Sequence, residues 1–271
     1  MRATICTLRM VFVAFIGVGP LFACGTNLTP QPEPSPVLPS CIPNRDGKIT
    51  AEELPIALGE AATYYAGTMR AIDQLPQGGT WDFSDERSDD EVVAIGPAPV
   101  RDQWYAASFP AGQFAVDAGG SLDGIYHQDA QALWLDGTAS QTEGNKTLIV
   151  YPQPLAVLRF PVTVGDMYTQ TVALTNVTIN GLPFNGTDEL TVEVIESAEL
   201  SLPYVEFSPT LRVRTSAVRR PSSGGMTGRR QSLWLFECFG EIARAESRPD
   251  ETNADFTTAA YFRRFALGVT P

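Results

Sequence analysis

Along most of this chain apolar and polar residues alternate with a period of two, the signature of strands with one buried face. Residues 189–196 show it most plainly, with Leu190, Val192 and Val194 on one side. Leu211, Val213 and Thr215 face one way while Arg212 and Arg214 face the other. Similar patterns predict strands at 80–84, 103–109, 122–127, 130–135, 147–151, 155–160, 167–179, 231–238 and 241–247. Connections are short and rich in Gly, Pro and Asn; Gln128-Asp129 and Phe239-Gly240 read as hairpin turns, and Ser222-Ser223-Gly224-Gly225 as a flexible tip. Only one stretch, from Ala51 toward Gly67, reads as helix. It opens with the capping box Thr50-Ala51-Glu52-Glu53 and tolerates Pro55 in its first turn. The expected fold is mainly β, an antiparallel sandwich or a curved half-barrel with one N-terminal helix.

The first residues break this pattern. Arg2 and Arg9 precede an apolar run from Met10 to Phe22, interrupted by Gly17, Gly19 and Pro20. The run is short for a membrane span and reads as a secretory signal. Its end, Leu21-Phe22-Ala23-Cys24, resembles the bacterial lipobox, which implies a leader at 1–23 and lipidation of Cys24. Residues 24–40 form a tether holding Pro30, Pro32, Pro34, Pro36 and Pro39. As polyproline II its roughly 16 residues reach about 50 Å. Gly25 after the cysteine resembles the outer-membrane sorting pattern of Gram-negative lipoproteins. The expected organisation continues with a loop and helix at 41–79 and an antiparallel β domain at 80–271.

Charge narrows the partners. The net charge is −12, and removing a leader that carries Arg2, Arg9 and no acid makes it −14. Such a surface repels nucleic acid and anionic lipid, so the membrane contact expected here is the covalent anchor. Of four cysteines, Cys6 lies in the leader and Cys24 takes the lipid. Cys41 and Cys238 remain, and in an oxidising compartment they are expected to form a disulfide. A bridge closing so long a loop stabilises by about 4–5 kcal/mol on the chain-entropy estimate.

The stretch 42–53 carries candidate metal chemistry. In the register of an EF-hand calcium loop, Asn44 falls at position three, Asp46 at five, Gly47 at six, Lys48 (through its carbonyl) at seven, Thr50 at nine and Glu53 at twelve. Oxygen ligands around a glycine turn, closed by a bidentate carboxylate, are what calcium requires. Position one is Ile42, which has no side-chain oxygen. The other reading of the same residues is a turn leading into a capped helix. Calcium is the one cofactor the sequence suggests.

Five segments together resemble a family of uncharacterised exported lipoproteins of Gram-negative bacteria with a degenerate EF-hand-like N-terminal segment. They are Cys41-x-Pro43-Asn44-x-Asp46-Gly47, Trp81-Asp82-Phe83-Ser84, Leu158 to Asp166, Leu211-Arg212-Val213-Arg214 and Glu237-Cys238-Phe239-Gly240. The resemblance implies no activity. Residues 160–247 also resemble, in strand rhythm, the curved sheets of lipoprotein carriers.

No Gly-x-Ser-x-Gly elbow, P-loop or His-Glu-x-x-His occurs, and His127 is the only histidine. The acids of 85–91 read as a mobile surface loop, and Trp81, Trp104, Trp134 and Trp234 read as core. The expectation is a non-catalytic, lipid-anchored envelope or surface protein with a structural or interaction role. One alternative is a carrier of hydrophobic ligands, which needs a cavity lined by Leu158, Phe160, Val192, Val194 and Leu211. Another is a calcium-stabilised carbohydrate-binding module, which needs several tryptophans in one exposed groove.

Overall fold

The computed structural model describes residues 40–269, except Asn145. Cys24 and most of the tether lie outside the described residues. The described chain forms one large antiparallel sheet of fourteen strands. These are β1 (Ala62–Ala71), β2 (Thr80–Asp82), β3 (Glu91–Ile95), β4 (Ala98–Pro99), β5 (Phe114–Gly119), β6 (Leu122–Gln128), β7 (Ala132–Ser140), β8 (Leu148–Arg159), β9 (Met167–Ile179), β10 (Leu182–Leu202), β11 (Val205–Pro221), β12 (Thr227–Phe236), β13 (Gly240–Glu246) and β14 (Thr258–Phe265). From β5 to β14 each strand lies beside its sequence neighbour, and β1 and β3 continue the path beyond β14. The short β2 stands off this path and pairs in parallel with β10.

The sheet curls on itself. Its two ends are β3 and β4, consecutive in the chain and joined only by Gly96-Pro97. Among the described residues no ladder closes them into a barrel. Yet Tyr126 on β6 lies within electrostatic range of Glu241 and Arg244 on β13 and of Arg263 on β14. Those strands are seven and eight places away in the sheet order, so the curl brings the two halves of the inner face toward one another.

Alternation places the cores. Leu190, Val192 and Val194 of β10 point inward with Leu211 and Val213 of β11, Leu235 of β12, and Leu155 and Leu158 of β8. The outer face of β11–β14 is covered by β2 and its flanking loops. There Trp81 and Phe83 pack edge-on to Trp234, and Phe83 edge-on to Phe262. A third cluster on the outside of β5–β7 is roofed by Val100, Tyr105 and Phe109.

Three expectations are corrected. The helix from Ala51 toward Gly67 is absent: its first turn forms, and then Ala62–Ala71 is strand β1, paired with β14 and β3. Thr63, Tyr64 and Tyr65 favour a pleated surface, and two neighbouring strands supply backbone partners that a lone helix would lack. Residues 103–109 are not a strand; single 3-10 turns at Val100–Asp102 and Ala106–Ser108 bury Tyr105 and Phe109 as a roof. Segments 147–151 and 155–160 are one strand, β8, running through Pro152 and Pro154. Those prolines bring no N–H to a ladder, and β8 meets β9 through one backbone bridge, Leu148 to Thr178. Gln170 takes over further along. Its amide donates to the Ala156 carbonyl (2.9 Å) and accepts the Ala156 N–H (3.1 Å), as a paired backbone would.

Gly96 marks how closely the β3–β4 connection approaches the chain entering β1. A Cβ built there would stand 2.2 Å from the Glu60 carbonyl oxygen and 2.7 Å from the Ala61 Cα. Both are backbone atoms with nowhere to go. Gly96→Ala is therefore expected to destabilise by about 1–3 kcal/mol in urea unfolding; unchanged stability would contradict this close approach.

Candidate functional site

The segment 41–54 lies across one mouth of the curled sheet. Ile49 pairs its backbone with Val162, donating at 3.1 Å and accepting at 2.8 Å. The carbonyls of Ala51 and Leu54 accept from Gln128 Nε2 at the end of β6 (3.0 and 3.2 Å). The Glu53 carbonyl accepts the Cys238 N–H (2.7 Å) in the turn between β12 and β13. Ile49 and Leu54 enter the inner apolar cluster. The anticipated disulfide, Cys41–Cys238, fastens the segment to that turn across a separation of 197 residues.

The loop's residues satisfy one another. Asn44 Oδ1 accepts the Asp46 N–H (2.8 Å), and Asp46 Oδ1 accepts the Lys48 N–H (2.9 Å). One oxygen of Glu53 accepts from Asn44 Nδ2 (2.7 Å); the other accepts the Thr50 N–H and hydroxyl, both 3.0 Å. The capping box thus exists, closing a single turn. Ile42 is exposed and contributes nothing to the loop interior. The structure adds a residue that spacing did not suggest. Glu237, 2% exposed, accepts the Arg45 N–H (2.7 Å) from the β12–β13 turn. Among the described residues no three His, Cys, Asp or Glu side chains already converge as a metal cluster.

Elsewhere the chemistry is buried and paired. His127 Nδ1 lies 2.8 Å from Asp136, and its ring stacks on Trp134. Burial raises the Asp136 pKa, opposed by the hydrogen bond to His127. Asp89 and Asp90, expected in a mobile loop, hold Arg70, and Asp90 also holds Arg264 at 2.8 Å. On the outer face Arg212, fully buried, meets Glu196, Asp255 and the Gln74 side-chain oxygen. On the inner face Glu241 bridges Arg244 and Arg263 beside Tyr64. Burial, with Glu241 nearby, pushes the Tyr64 phenol up to about 12.

An open concavity of about 380 Å³ is lined by polar and acidic side chains, including Asp73, Asp82, Glu199 and Glu206. The residues that a carrier cavity would require, Leu158, Val192, Val194 and Leu211, are buried against one another, with Phe160 packed on them. Of the tryptophans, Trp81 and Trp234 are core, while Trp104 and Trp134 are half-buried in different places and share no groove. No protein family, curated protein or solved structure matches the chain.

Glu241 gives a pH prediction. Burial alone would raise its pKa, but Arg244 and Arg263 outweigh burial and hold it below the ordinary carboxylate range. A depressed folded pKa means stability that is present at neutral pH and lost as pH falls through the folded value. Glu241→Gln should cost about 3 kcal/mol at neutral pH, since it leaves the buried Arg263 without its carboxylate while Arg244 keeps Glu246. The gap to the parent should narrow in urea melts below about pH 4. A gap that stays constant with pH would contradict the assignment.

Proposed function

We propose that the chain is an exported, lipid-anchored envelope protein with a non-catalytic role in interaction or envelope structure. The observation that carries this reading is the Cys41–Cys238 bond. Such bonds persist in oxidising compartments, and this one leaves Cys24 as the single unpaired cysteine beyond the leader, in a lipobox-like setting. The proline tether then separates the lipid from a domain whose first described residues are locked onto the sheet. The filled inner face supports interaction through the surface rather than carriage of a hydrophobic ligand.

Replacing the anchor cysteine tests this. The parent protein is expected in the membrane fraction, with an N-terminal peptide whose mass shows acylated Cys24. Cys24→Ser is expected to lose that mass and move to the soluble fraction or retain its leader. Parent protein carrying an unmodified Cys24, or equal partitioning of the two forms, would overturn the reading.

A further inference from the structure

We propose that Glu237 completes a calcium site in the loop 44–53, supplying from the β12–β13 turn the carboxylate that Ile42 cannot. The loop has the oxygen pattern of an EF-hand from position three onward, and its turns are already formed: the side-chain oxygens of Asn44 and Asp46 each accept the N–H two residues ahead. Calcium takes six to eight oxygens, with an acidic ligand at the head of the loop. Glu237 reaches this loop from the β12–β13 turn, although it is distant in sequence. Its Oε2 holds the Arg45 N–H, between the two candidate ligands Asn44 and Asp46.

The second observation is the other oxygen of the same group. Glu237 Oε1 is buried and accepts no hydrogen bond among the described residues. A buried carboxylate with an unmet oxygen is costly unless a cation faces it. Glu53, whose carbonyl accepts the Cys238 N–H, is 9% exposed, and every donor that the described residues bring to the two carboxylates is neutral: the Asn44 amide, the Thr50 N–H and hydroxyl, and the Arg45 N–H. Among the described residues other buried acids meet a basic side chain, Asp90, Asp188 and Glu241 an arginine and Asp136 His127. Here two buried acids flank a loop built of oxygen ligands. Binding requires the Asn44 amide to leave Glu53 Oε1, freeing Glu53 for bidentate contact, and the carboxylates of Asp46, Glu53 and Glu237, which do not yet converge, to close on the ion. The remaining ligands are Asn44 Oδ1, Asp46, the Lys48 carbonyl and Glu237 Oε1, with Thr50 directly or through water. The disulfide at the adjacent Cys238 keeps the two halves of the site together.

The site stands independently of the lipid anchor, and its test does not involve the membrane. The purified protein, stripped with chelator, is titrated with calcium chloride in a calorimeter and melted with and without the ion; magnesium chloride serves as control. The expected result is a single ion per chain, bound with Kd on the order of 10⁻⁴–10⁻³ M as in extracellular modules, together with a raised Tm. Glu237→Gln is expected to weaken binding at least about ten-fold, as loss of a charged ligand should. Without calcium it should melt at or above the parent, because it removes an unmatched buried charge. Asp46→Asn, at an exposed position where folding is not at stake, is expected to weaken binding as well. No heat and no shift in Tm with calcium would overturn the site. Binding by Glu237→Gln as tight as by the parent would remove Glu237 from it.

Discussion

A curled sheet has to fill its own inner face, and everything at the N-terminal side of this domain serves that constraint. Thirteen strands bend until β3 and β4 meet through Gly96-Pro97, leaving an inner surface whose apolar half runs from β7 to β12. Its mouth would be wet without a cover. The segment 41–54 supplies one, placing Ile49 and Leu54 on the apolar cluster; its backbone hydrogen-bonds the Gln128 side chain of β6 and the backbones of the β8–β9 connection and the β12–β13 turn. The Cys41–Cys238 bond makes that cover covalent. A single turn without neighbours would not hold its shape in water, so the bond and the hydrogen bonds act together.

Charge is handled by burial in pairs. On the long β10–β11 hairpin, Glu193 faces Arg214 and Asp188 faces Arg219 in direct register, and Tyr151 donates to the same Asp188. Such pairs return little net stability in exchange for desolvation, but losing one partner is expensive. They fix register, since a slip of one residue would turn every charge to the wrong face. An acidic net charge is thus compatible with a core containing arginines at less than a tenth of full exposure, such as Arg212, Arg263 and Arg264. Glu53 and Glu237 are the exception to this scheme, and they stand beside the calcium-like loop.

Much of the sheet was legible in the sequence. β9 has the bounds its alternation suggested, and the hairpins around Gln128-Asp129 and Phe239-Gly240 stand where their turn residues put them. The cysteine pairing came from elimination of Cys6 and Cys24. A capping box specifies only a first turn, and Thr50 to Glu53 close that turn without extending it into a helix. The conformation of Ala62–Ala71 was decided instead by β14 and β3, distant in sequence, which offered Tyr64 and Ala66 a buried face. The choice between a sandwich and a curved half-barrel was not legible, because it depends on contacts between strands remote in the order. Glu237 escaped for the same reason. It meets Arg45 across 192 residues, and only its position next to Cys238, the partner of Cys41, could have hinted at it.

If 41–54 is an integral, covalently fastened cover of the sheet's mouth, amide hydrogen exchange read by mass spectrometry, before and after reduction of the disulfide, is the most direct test. Ile49 and Val162, which bond each other's backbones, are expected to exchange nearly as slowly as the β10–β11 hairpin in the oxidised protein. After reduction, peptides covering 41–54 should lose protection first, while β10 and β11 stay protected. Free exchange of 41–54 in the oxidised protein would contradict its role as a cover.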